Sequence, residues 1–147
     1  MKNIGQLALY AYNLYACPPA LKWLNALDPA APVETALDAL TYDHRDWLIW
    51  LSNWSSHPLH ATPEGSNALL TLSAFSEHER RIRNQVRADY SDRLNTVGEA
   101  FWKIWDEEMC PEADRLVTAY WREITLPLIR PAVIAWLYSI EVHDDRS

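Results

Sequence analysis

Glycine is scarce in this chain, with 3 residues in 147, where a share of roughly 7% is usual. Tight hairpins depend on glycine or its substitutes, so the scarcity argues against an all-β fold. Cysteine is rarer still. Cys17 and Cys110 each precede a proline, with no CxxC pair and no third thiol. That supplies neither a disulfide framework nor a thiolate metal site, and a reduced, cytoplasmic protein is the default. If the chain is phage-encoded, that means the host cytoplasm.

Positive charge is in the minority: 13 Lys and Arg stand against 20 Asp and Glu, a formal net charge of −7. General attraction to phosphate backbones is therefore not expected, and a basic protein surface is the better electrostatic match. Long apolar runs are missing as well. LPLIRPAVIAWLYSIEV, residues 126–142, contains Arg130 and two prolines and falls short of the roughly 20 apolar residues a membrane span needs. It reads as a buried or partner-covered helix. The opening MKNIGQLALYAYNLYAC has only a superficial likeness to a lipoprotein leader, because Gln6, Asn13 and three tyrosines interrupt its apolar stretch.

Helical periodicity, by contrast, runs nearly throughout. Leu7, Tyr10, Ala11 and Leu14 share one face of a first helix, and Ala8, Tyr12 and Tyr15 fill a second, which predicts cover on two sides. Pro18 and Pro19 stop that helix and begin PPALKWLNAL, since proline at the first helical position gives up only an unpaired amide. PVETALDAL follows the turn DPAAP. A fourth helix spans TYDHRDWLIWLSNW, with Asp43 as its cap. Thr62 before Pro63 and Glu64 opens another, and Ser76 with Glu79 forms a capping box that predicts a bend. From Glu77 to about Met109 the apolar positions predict one long amphipathic helix, bent near Gly98. Pro111 is expected to start a further helix through Glu123, and Pro127 and Pro131 to precede or kink the last one. The expectation is a single compact all-α domain over 1–147, with six to eight helices.

Chemistry is harder to find. The P-loop, the GxSxG elbow, HExxH, the dinucleotide fingerprint and paired Glu-x-x-His motifs are all absent. His57 and His60 form an HxxH in a loop, but zinc takes three or four protein ligands and neither cysteine lies near them in sequence. No cofactor and no metal is expected. Trp47, Trp50 and Trp54 fall on one stripe of the fourth helix. Core is the first reading of that stripe, and an exposed edge would be a binding hot spot.

ACPPALKWLNAL followed by TALDALTYDHRDWLIWL resembles a module of small helical proteins of phages and bacteria, some of them labelled immunity proteins. The matching residues are Ala16, Cys17, Ala20, Leu21, Trp23, Leu24, Ala36, Asp46, Trp47, Leu48, Trp50 and Leu51. Pro18, Pro19 and Leu40 depart from the pattern. The resemblance covers about a quarter of the chain and implies a mobile-element protein that binds another protein. It implies no reaction and no catalytic residue.

Two charged stretches remain. EHERRIRNQVR gathers Arg80, Arg81, Arg83 and Arg87, and the pairs Glu77–Arg81, Glu79–Arg83 and Asp89–Arg93 have the i,i+4 spacing of a salt-bridged, exposed face. Residues 94–114 hold six acids, Glu99, Asp106, Glu107, Glu108, Glu112 and Asp114, against one base, Lys103. A helix ending near Asp106–Glu108 and another starting at Pro111 would explain part of this by mutual capping. The other part reads as a partner-binding surface, with Trp102 or Trp105 at its edge, able to imitate nucleic-acid phosphates.

These observations lead to a non-catalytic, protein-binding inhibitor of phage or prophage origin. It would act in an anti-CRISPR-like, anti-defence manner by occluding a basic partner such as a host defence nucleoprotein complex. A toxin-neutralising immunity protein, a metal-dependent hydrolase using His57 and His60, and a structural phage component stand as alternatives. Homo-oligomerisation through the 126–142 helix stays open.

Overall fold

Proline marks most of the helix starts. The computed structural model describes residues 1–142, and 143–147 lie outside the described residues. Helix α1 (Ile4–Asn13) opens on Asn3, whose side chain accepts from the Gln6 amide at 2.9 Å. Helix α2 (Pro18–Asn25) begins on the Pro18–Pro19 pair, and α3 (Val33–Ala39) follows Pro32. A 3-10 turn, Tyr42–His44, leads into α4 (Arg45–Trp54), so Asp43 sits inside that turn and does not cap the helix. Helix α5 (Pro63–Asp89) starts where Thr62 Oγ1 accepts from the Gly65 amide at 3.0 Å.

Helix α5 continues unbroken for 27 residues, about 40 Å of rise. The bend expected at Ser76 is absent because its would-be capping groups are engaged sideways. Ser76 Oγ accepts from Arg45, and Glu79 pairs with both Arg45 and Arg83. The helix also stops at Asp89, well before Met109. Tyr90 and Leu94, which continue the apolar period in sequence, pack against Val86 from a turn and loop instead. That loop closes on Gly98 at φ 69°, a left-handed conformation that favours glycine.

From Glu99 to Ser139 the chain is helical without a break. Helix α6 (Glu99–Ile104), α7 (Cys110–Tyr120) and α8 (Leu126–Ser139) are joined by two π-helical turns, Trp105–Met109 and Trp121–Thr125, and every junction stays in the αR region. The predicted break at Cys110–Pro111 is thus corrected. A proline ring collides with the carbonyl four residues before it, here those of Glu107 and Glu123. Each of these lies inside a π turn, whose wider winding ends in a bond from i to i−5: Cys110 to Trp105 O, and Leu126 to Trp121 O. The extra residue per turn lets the helix pass both prolines.

One large core joins α1 to α5, the later part of α7 and α8. Trp121, Phe75, Leu72, Val117, Ile129 and Val133 are fully enclosed in it. The Trp121 indole meets the Phe75 ring edge-on at 5.4 Å and donates to the Leu40 carbonyl at 2.9 Å. A second, smaller cluster of Val86, Met109 and Ala113 holds the distal half of α5 against the Trp105–Met109 turn and the start of α7. That pairing forms an arm with its own packing. The prediction of two covered faces on α1 fails for Tyr12 and Tyr15, which are exposed. Among the described residues there is no β-strand, and no helix is long and apolar enough to cross a membrane.

Candidate functional site

The arm carries all the residues read from sequence as partner-binding, and it divides them into two sets. Glu108, Glu112 and Asp114 are engaged within the chain. Arg93 donates to both carboxylate oxygens of Glu108 at 2.6 and 2.7 Å, Arg115 holds Glu112 at 2.6 Å, and Arg83 holds Asp114 at 2.9 Å. The Arg115 hydrogen bond keeps the Glu112 carboxyl below its ordinary range. Glu99, Asp106 and Glu107 are exposed and form no ion pair with a described residue.

The helix is continuous across Pro111, so of these acids only Glu99, which opens α6, sits at a helix end, and mutual capping is not what gathers the others. The cations are Arg83 from α5, Arg93 from the turn after it and Arg115 from α7 itself. The helix-face reading of the arginines is likewise only partly met. Glu79–Arg83 forms as spaced, Glu77 takes Arg80 in place of Arg81, and Asp89 accepts from Gln85 while Arg93 reaches across to Glu108.

The two tryptophans also differ. Trp105 is half-buried, stacked on Phe101 at 5.7 Å with the Arg87 guanidinium 5.4 Å from its ring centre. Trp102 is 59% exposed and touches Phe101 edge-on. Val97, in the loop before α6, is 87% exposed. Together Val97 and Trp102 leave apolar surface beside the three unpaired acids.

Sequence reasoning missed a second feature, an apolar cavity of ≈ 280 Å³ among α1, α2, α3 and α4, closed at one side by Leu137 of α8. Its floor consists of buried aliphatic side chains, including Leu7, Leu24, Val33, Leu37, Leu48 and Leu51. Its rim holds the exposed Cys17 and Asp46 and the half-buried Trp23, Trp47 and Trp50. Trp47 is fixed between neighbours, stacked on His44 at 4.2 Å and tilted against Trp23 at 5.9 Å. The tryptophan stripe of α4 is therefore split. Trp47 and Trp50 border the cavity, and Trp54 is 64% exposed. All the residues that carry the module resemblance line this cavity except Leu21, which faces a separate depression.

No protein-family model, curated protein or solved structure matches the chain. The site must be read from its own chemistry.

Here the histidines contribute little. His57 and His60 are both exposed; the His57 ring meets the neighbouring Ser56 hydroxyl at 3.1 Å, and its carbonyl accepts from the Trp136 indole. Among the described residues no three His, Cys, Asp or Glu side chains converge as metal ligands would. The signal for the cavity was present but scattered. Ala11, Ala16, Ala20 and Ala36 come from separate segments, and only the fold brings these short side chains to face one another.

Proposed function

We propose that this chain is a non-catalytic binding protein that engages a basic protein partner through its helical arm. Trp102 serves as the anchor, and Glu99, Asp106 and Glu107 steer and align the partner. The observation that carries this reading is the pairing of an exposed indole and an exposed Val97 with three carboxylates that have no ion-pair partner among the described residues. Hot spots of protein interfaces are enriched in tryptophan, and complementary charge speeds encounter and fixes register. A net charge of −7 extends the same field over the whole molecule.

In this reading the biology is that of a phage or prophage inhibitor. The arm would occupy an arginine- or lysine-rich groove of a nucleic-acid-handling complex in place of phosphates. The engaged acids, Glu108 and Asp114, shape the arm and do not face the partner.

The test is affinity capture with the wild-type chain and with a Trp102→Ala, Asp106→Asn, Glu107→Gln variant, at low and high salt. A basic protein held by the wild type, released by salt and lost from the variant is expected, and adding the chain should inhibit that protein's activity. Equal capture by both would overturn the reading.

A further inference from the structure

The cavity among α1 to α4 has no part in the binding assigned to the arm. We propose that it is a binding site for a small amphipathic cation, an alkylammonium compound whose hydrocarbon portion fills the cavity and whose charged nitrogen rests at the rim beside Asp46.

The floor sets the first half of this specificity. Leu24, Val33, Leu37 and Leu51 present only hydrocarbon. A water molecule needs two to four polar partners to be held in such a space, and this floor offers none. An enclosed apolar cavity of roughly 150 Å³ admits a benzene-sized guest; at ≈ 280 Å³, and open at its rim, this one takes a longer body. Short side chains at Ala11, Ala20 and Ala36 keep it open.

The rim sets the second half. Among the described residues Asp46 is the only charged one on the lining, and it makes no ion pair with any of them. Trp23, Trp47 and Trp50 border the same opening, and indole faces attract ammonium groups. A cation finds a carboxylate there with indole rings beside it, although His44 covers one face of Trp47. An anion of the same shape meets like charge, and a neutral molecule gains burial alone.

The experiment uses the intact chain and trimethylammonium ions carrying butyl to octyl chains, below their micellar concentrations, with alcohols and alkyl sulfates of matched length. Indole fluorescence and calorimetry report binding. Affinity should rise with chain length and then level off once the cavity is full, with the ammonium series binding about tenfold more tightly than the alcohols. Asp46→Asn should cut the ammonium advantage over the alcohols severalfold, leaving only what the indoles supply, and leave the alcohols unchanged. Occupancy should slow iodoacetamide alkylation of Cys17, on the rim, but not of Cys110, on the arm.

Ala36→Leu should weaken all ligands. If that variant does not fold, Asp46→Asn and the Cys17 protection decide. No binding, an affinity that climbs with length without levelling off, an ammonium advantage undiminished by Asp46→Asn, or a second copy of the chain filling the cavity in light scattering would each overturn the proposal.

Discussion

Arg93, in the turn beyond α5, grips Glu108 on the π turn opposite with two hydrogen bonds from one guanidinium nitrogen, while its plane lies 5.2 Å from the Tyr90 ring centre. This one arginine ties the loop of residues 90–98 to the helix that carries the exposed acids. Glu108→Gln should therefore loosen the arm and leave the main core alone. Hydrogen exchange should quicken over residues 90–104, with no change in the protection of α1 or α8. Equal quickening in all three would mean that the arm and body unfold as one unit.

At the centre of the body, Trp121 is completely buried and provides the Leu40 carbonyl with its donor. Trp121→Ala empties the largest enclosed side chain and orphans that carbonyl. The expected loss is about 3–5 kcal/mol, read from urea denaturation of the two proteins. Trp102→Ala, on the exposed arm, should fall within roughly 0.5 kcal/mol of the wild type, as surface changes usually do. The contrast separates a tryptophan that holds the fold from one left over for a partner.

Gly65 makes a sharper backbone claim. It lies in the first turn of α5, buried under the 3-10 turn Leu59–Ala61, and a Cβ there would run into the Leu59 carbonyl. Gly65→Ala normally favours a helix, by about 1 kcal/mol. Here overpacking should outweigh that gain and leave the protein less stable by about 1–3 kcal/mol. A raised melting temperature would show that the Pro58–Ala61 segment yields easily.

The all-α class and several of the helix starts were legible because proline and cap chemistry act over a few residues. Pro18 and Thr62–Pro63 open helices as read. The Cys110–Pro111 step misled for a physical reason: the rule that proline breaks a helix presumes i to i−4 winding, and a π turn two residues earlier removes the collision, as another does before Pro127 in the first turn of α8. Tyr90 and Leu94 misled differently, since they satisfy a helical period while packing from a loop, although Ser91, Asp92, Asn95 and Gly98 are turn formers.

At the candidate site the acids were legible as residues. Which of them stay unpaired was not, because Arg83 and Arg93 reach them across the arm from far along the chain. The cavity was hidden by the same distance. Its alanines and tryptophans are ordinary residues of their own segments until α1 to α4 meet.

Tyr42 links this packing to pH. Its ring is buried against Phe75 at 6.0 Å, and Arg83 reaches its hydroxyl at 3.4 Å. Burial, reinforced by Asp43 and Asp114, pushes the phenol above its ordinary 10.0, and Arg83 offsets only part of that. As pH climbs past 10.0 the unfolded chain loses this proton first, so it binds fewer protons than the native state and stability falls until the native phenol also ionises. Tyr42→Phe removes the group from both states. Urea denaturation on either side of pH 10.0 should then show a steeper alkaline loss for the wild type than for the variant, and parallel curves would mean that Tyr42 ionises as freely in the fold as out of it.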